Sequence, residues 1–115
     1  MTAALLRGED LWVAKPFTPA GGFTKEIEGP GVDRDGNVYA VSFARKPTIG
    51  RVTPDGKAEL FLDMPEGSTG NGIRFDRKGR MFVADYTGHN VLLVDTRTKA
   101  VRVFAHESKM SQPND

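Results

Sequence analysis

Apolar positions along this chain fall in short runs, each closed by a cluster of Asp, Gly, Asn or Pro, and nowhere recur at the spacing of a helix face. Pro30 to Asp33 and Val38 to Phe43 flank Asp33-Arg-Asp-Gly-Asn37, the pattern of a hairpin with Gly36 at a left-handed turn position. Ile49 to Thr53 and Ala58 to Leu62 flank Pro54-Asp55-Gly56, whose proline suits the second corner of a turn. This spacing predicts a four-stranded antiparallel meander. The order then returns as Gly72 to Phe75, a turn over Asp76-Arg-Lys-Gly79, Met81 to Asp85, Asn90 to Val94, a turn over Asp95 to Thr98, and Ala100 to Phe104. Leu11 to Phe17 reads as one more short strand, followed by a loop through Pro19-Ala-Gly-Gly22.

The repetition extends to residue identity. Glu28-Gly-Pro-Gly-Val-Asp-Arg-Asp-Gly-Asn-Val-Tyr-Ala-Val41 returns 43 residues later as Asn71-Gly-Ile-Arg-Phe-Asp-Arg-Lys-Gly-Arg-Met-Phe-Val-Ala84. The same step from Asn71 lands on Asn114, in Gln112-Pro-Asn-Asp115. Repeats of about 40 to 50 residues with four strands each mark β-propeller blades rather than helical solenoids. Val38 to Val41 and Met81 to Ala84 are apolar without alternation, as strands covered on both faces are, whereas Val101 and Val103 alternate around Arg102, as at an outer edge. The predicted class is therefore all-β, with an N-terminal segment over 1–27, blades over 28–70 and 71–113, and the start of a third blade at 114–115. Closed propellers have at least about four blades. The chain reads as the N-terminal piece of a longer propeller, with assembly of copies into a ring as the alternative. Two blades alone expose faces and edges that associate, so the bare chain is expected to be oligomeric or partly molten.

Composition narrows the partners. The 115 residues are 38% hydrophobic and 27% charged, ordinary for one soluble unit with a core. Sixteen basic against fifteen acidic residues leave a net charge of +1 without a Lys/Arg cluster, which argues against a nucleic-acid partner. The absence of Cys removes disulfides, zinc–thiolate sites and thiol catalysis. Ala3-Ala-Leu-Leu6 is too short for a signal sequence, and no apolar run approaches the ~18 residues of a membrane span. A cytoplasmic protein without a membrane partner is the expectation.

The residue that leads each repeat sits where the chain enters an innermost strand, beside the central channel of a propeller. Glu28, Asn71 and Asn114 would then form part of one ring of hard oxygen donors, a ligand set that suits Ca²⁺ at about 2.3–2.6 Å. A second reading of the same residues is that Glu and Asn there only cap turns before strands. The loops from Phe43 to Thr48 and from Tyr86 to Asn90 should share the channel rim, which makes Arg45, Lys46, Tyr86 and His89 candidates for holding a substrate oxygen; as a plain alternative they are solvated surface groups. His106, after the outer strand, reads as structural. Asp33-Arg-Asp-Gly-Asn37 imitates the start of an EF-hand loop, but the sixth and twelfth places, which need Gly and Glu, hold Val38 and Ala44.

Glu28-Gly-Pro, Asp33-Arg-Asp-Gly-Asn-Val-Tyr-Ala-Val41, Asn71-Gly-Ile-Arg-Phe-Asp76, Arg80-Met-Phe-Val-Ala-Asp85 and Pro113-Asn-Asp115 together resemble the family of senescence marker protein, gluconolactonase and luciferin-regenerating enzyme, over roughly residues 23–115. The resemblance implies a six-bladed propeller with a divalent cation in its channel, usually Ca²⁺, and hydrolysis of a lactone or related ester. Another hard ion such as Mg²⁺, Mn²⁺ or Zn²⁺ could serve. Glu28 matches the family's blade-one carboxylate ligand, and Asn114 its blade-three Asn, which ligates the metal or touches substrate. Asn71 would line the channel. The remaining ligands and the catalytic base are expected beyond residue 115, in the missing blades, so the two-blade piece alone is expected to be inactive. Sugar-lactonase members often carry Arg two residues before the blade-three Asn; here that place is Gln112, which weakens the case for a sugar-acid lactone. The competing class is a non-catalytic propeller that serves as a binding platform, since one fold hosts many functions.

Overall fold

A computed structural model describes residues 12–22, 26–43 and 47–115. Two four-stranded antiparallel sheets account for most of them, each a simple meander. The first runs β1 (Ile27–Val32), β2 (Val38–Ser42), β3 (Thr48–Val52) and β4 (Ala58–Asp63); the second runs β5 (Gly70–Phe75), β6 (Met81–Asp85), β7 (Asn90–Val94) and β8 (Val101–His106). None of the described residues forms a helix long and apolar enough to cross a membrane.

The first hairpin turns of the two sheets are built alike, down to single hydrogen bonds. Asp33 Oδ1 accepts the N–H groups of Asp35 and Asn37, both at 2.9 Å. Asp76 Oδ1 accepts those of Lys78 and Arg80 at the same distance. Gly36 and Gly79 take φ of 81° and 78°, the left-handed region that an N–H-donating turn of this kind requires. The carboxylate of Asp33 is thus committed to closing its own turn. It also accepts the Asn37 amide at 2.9 Å and the Tyr39 hydroxyl at 3.1 Å, tying the turn to a core aromatic.

These bonds have a pH signature. Burial opposes ionisation of Asp33, but hydrogen bonds from Asn37, Tyr39 and Asp35 outweigh it and hold its pKa low. The backbone N–H of Arg80 does the same for Asp76, and those of Thr98 and Arg97 for Asp95. A carboxyl with a depressed folded pKa stabilises the fold above its unfolded pKa, about 3.9, and loses that contribution as pH falls through the folded value. Urea midpoints should therefore hold steady between about pH 6 and 5 and decline towards about pH 2. In Asp33→Asn the decline should be shallower; an unaltered slope would remove Asp33 from the explanation.

Beyond shifts of a residue or two at strand ends, the fold differs from the sequence expectation at three places, each for a physical reason. β1 begins at Ile27 and runs through Pro30, because Pro30 sits where the pairing with β2 shifts register between Glu28 and Gly31, so its missing N–H costs no ladder bond. The corresponding shift in β5 lies between Gly70 and Ile73. The strand read over Leu11 to Phe17 is absent from described residues 12–17, and Leu11 lies outside them. Pro16 and Pro19 cannot donate to a ladder, and the segment instead leans on the β3–β4 turn, where the Thr18 hydroxyl donates to the Gly56 carbonyl at 2.7 Å. Lastly, β2 is buried at four successive positions, but β6 alternates, with Met81 and Val83 fully buried and Phe82 and Ala84 half-buried. Only one face of β6 is covered.

The core lies between the sheets, where β1 and β2 pack on β5. Tyr39, Val41, Ile49 and Phe61 of the first sheet meet Ile73, Met81, Val83, Leu92 and Val94 of the second. At this seam β1 and β5, the first strand of each sheet, lie side by side, so the start of β5 comes against the start of β1.

Candidate functional site

Small residues let the strand starts approach. Gly29 takes φ 51°, and a Cβ built on it would lie 1.7 Å from the Asn71 carbonyl oxygen. One repeat later, a Cβ on Gly72 would lie 2.6 Å from the Asn114 carbonyl oxygen and 2.9 Å from Asp115 Oδ1. Each glycine that follows a lead residue therefore receives the backbone of the next lead. Glu28, Asn71 and Asn114 thus follow one another from strand start to strand start, set there by the same local device twice.

Their side chains see different surroundings. Glu28 and Asn114 are exposed. Asn71 is 5% exposed, and its Oδ1 is buried without a hydrogen-bond donor. A buried amide oxygen left unpaired costs about 1–3 kcal/mol, so this position calls for a donor, a water or a cation. One carboxylate and two amide oxygens are the donor chemistry of a hard cation, and that set fits such a group. Among the described residues no cluster of three or more His, Cys, Asp or Glu exists, so anionic ligands within the two sheets do not complete a site by themselves.

The rim candidates are placed as follows. Tyr86 packs edge to face on Phe43, with ring centroids 6.1 Å apart, and its N–H donates to the Thr69 carbonyl at 2.8 Å. This joins the loop after β6 to the loop after β2 and to the entry of β5. His89, at φ 57°, bonds through Nδ1 to the Met110 carbonyl, which anchors the segment leading to Asn114. Arg45 and Lys46 lie outside the described residues. The surface grooves lined by Gly79 and Arg102, by Thr18 and Glu59, and by Pro47 and Thr87 include none of the three lead residues.

Sequence reading assigned no role to Asp85, which is fully buried at the end of β6. Its Oδ1 accepts the N–H groups of Thr69 at 3.0 Å and Gly88 at 2.9 Å, while Oδ2 accepts the Ser68 hydroxyl and the Asn90 amide, both at 2.8 Å. Asn90 Oδ1 in turn meets His106 Nδ1 at 2.7 Å, so His106 belongs to a structural network. The carboxylate clamps the entry of β5 to the β6–β7 loop that carries Tyr86 and His89. The signal available in the sequence was a charged residue closing an apolar run, where the first unit has the buried Ser42. Asp85→Asn presents an NH₂ to donors and should lower stability by about 2 kcal/mol in urea unfolding. A loss below about 0.5 kcal/mol would show that the clamp carries little.

No protein-family model matches this chain, and no curated protein matches it.

Proposed function

We propose that the two sheets are consecutive blades of a β-propeller, six-bladed when complete, and that Glu28 and Asn114 help hold a divalent cation, Ca²⁺ by the hardness of the donors, in a hydrolase of lactones or related esters. The observation that carries this reading is the repeated seating of one lead residue's backbone on the glycine after the previous lead, which sets Glu28, Asn71 and Asn114 in succession. Rotation of that arrangement through further blades collects the leads around a channel. A cation bound there supplies Lewis acidity to a substrate carbonyl. Glu28 supplies the anionic oxygen, Asn114 an amide oxygen to the ion or substrate, and Asn71 a neutral channel wall. Tyr86 and His89, held by Phe43 and the Met110 carbonyl, would contact an ester's substituents at the channel rim, with Arg45 as a further rim candidate. Attack by water needs a base from another blade.

The alternative is a non-catalytic propeller in which the leads only shape a binding channel. It is favoured by the single acidic lead in these two units. Calorimetric Ca²⁺ titration of the complete propeller, alongside proton release from a panel of lactones and aryl esters, separates the two. Ca²⁺ binding with Ca²⁺-dependent hydrolysis supports the enzyme; a protein that neither binds Ca²⁺ nor releases protons is a platform.

A further inference from the structure

Every hairpin turn within the two meanders falls at one end of the molecule. Because β1 and β5 lie side by side with their starts together, the β1–β2, β3–β4, β5–β6 and β7–β8 turns share the end opposite the lead residues. Most carboxylates at this end are already engaged. Asp33, Asp76 and Asp95 accept N–H groups of their own turns, and Asp55 takes the Thr53 hydroxyl and pairs with Lys57 at 3.5 Å; exposed Asp35 is the exception. The cations are not so engaged: Arg34, Arg77, Lys78 and Arg97 stand exposed at the turn tips, outside the ion pairs of the described residues. At the opposite end Glu26, Glu28, Asp63, Glu66 and Glu107 are exposed, against Lys109 among the described residues. A net charge of +1 therefore conceals a molecule charged oppositely at its two ends. Beside the β3–β4 turn lies a second feature, since the Phe17 carbonyl oxygen is 2.8 Å from a Cβ built on Gly56. Phe17 is 64% exposed; Trp12, within about 18 Å of it along the chain, is 88% exposed, with Val13 beside it at 59%.

We propose that this turn end is a peripheral binding surface for anionic phospholipid membranes, on which Arg34, Arg77, Lys78 and Arg97 meet the headgroups while Trp12 and Phe17 enter the boundary between headgroups and acyl chains. Charge complementarity and the neighbouring apolar side chains together select this occupant. Each basic group close to an anionic bilayer strengthens binding about fivefold, and exposed Trp and Phe add apolar burial at the interface. Turn tips at the ends of two sheets present a face rather than a line, so a flat surface meets them together, whereas a nucleic-acid strand meets few of them. Val13 supports the same choice, because an aliphatic side chain enters a lipid interface and does not stack on bases. The expectation of no membrane partner came from the absence of an apolar span; a surface held at the headgroups needs none. It depends on neither the cation nor the ester chemistry of the proposed function.

Trp12 is the only tryptophan, so fluorescence reports on its surroundings alone. With vesicles of phosphatidylcholine containing about one-third phosphatidylserine, in about 0.1 M salt, the protein should float with the vesicles and its emission should shift to the blue. Pure phosphatidylcholine vesicles should bind at least about tenfold less, as should the anionic vesicles in about 1 M salt, where screening is nearly complete. Substituting Arg77→Gln, Lys78→Gln and Arg97→Gln together should lower the partition about a hundredfold and leave the urea midpoint in place, since Asp76 and Asp95 still close those turns. Arg77→Lys with Arg97→Lys should retain binding, and Lys109→Gln, at the other end, should not alter it. Equal binding to both kinds of vesicle overturns the proposal, because apolar surface of a loosened chain is then the cause. Failure to float overturns it too, as does a triple variant that binds like the parent. A DNA duplex that strips the protein from the vesicles at equal phosphate concentration overturns it in favour of a nucleic acid.

Discussion

On the proposed function, replacing Glu28 with Gln should weaken Ca²⁺ binding by about two orders of magnitude, or about 2.8 kcal/mol, and abolish ester hydrolysis. Glu28 is the only anionic residue among the three leads, and Gln keeps the side chain's shape while removing its charge. Calcium sites owe much of their affinity to the count of charged oxygens, and neutral amides do not replace them. Because Glu28 is exposed, the substitution should leave the melting temperature without Ca²⁺ unchanged, which separates a lost ligand from a damaged fold. Asn71→Ala should cost less affinity. Unchanged affinity in calorimetric titration of Glu28→Gln would take this residue out of the metal site and with it the mechanistic core of the proposed function.

Gly29→Ala should destabilise the protein by about 4 kcal/mol, more than a strained backbone angle alone explains. At φ 51° any L side chain is disfavoured by about 1–2 kcal/mol. The larger part comes from contact, since the added Cβ would lie 1.7 Å from the Asn71 carbonyl oxygen and 2.5 Å from its carbon. Backbone cannot rotate away as a side chain can, so β1 and β5 must part and the leads lose their succession. Gly67→Ala provides the comparison: its φ is 79°, but nothing lies within 4 Å of the added Cβ. It should cost only about 1 kcal/mol in the same urea unfolding measurement. If the two substitutions cost the same, close approach at the seam contributes nothing and the convergence of the leads loses its physical basis.

Much of the fold is legible because its causes are local. Turn chemistry at Asp33–Asn37 and Asp76–Arg80 acts within a few residues, and the observed carboxylate-to-backbone bonds are those that Asp and Gly at these offsets make in any hairpin. With the turns placed, the apolar runs between them have only one antiparallel way to pair, and the meander order follows. The bulges in β1 and β5 were less visible, because Pro30 counts against a strand unless the register shift that accommodates it is known.

Candidate site residues divide in the same way. The sequence by itself determined the positions of Glu28, Asn71 and Asn114 in the repeat, the hard-oxygen character of that set and the four-strand unit, since residue type and spacing need no partner to be read. Tertiary structure alone decided that Gly29 and Gly72 admit the next lead's backbone, that the oxygen of Asn71 is buried without a donor, and that Asp85 clamps the rim loop. It also decided that Tyr39 and Phe61 are buried while their counterparts are half-buried at Phe82 and exposed at Phe104. Each of these depends on which surfaces meet across residues far apart in the chain, and burial is a property of that meeting: aromatic pairs of like geometry, 43 residues apart, differ in burial according to whether another sheet lies on them.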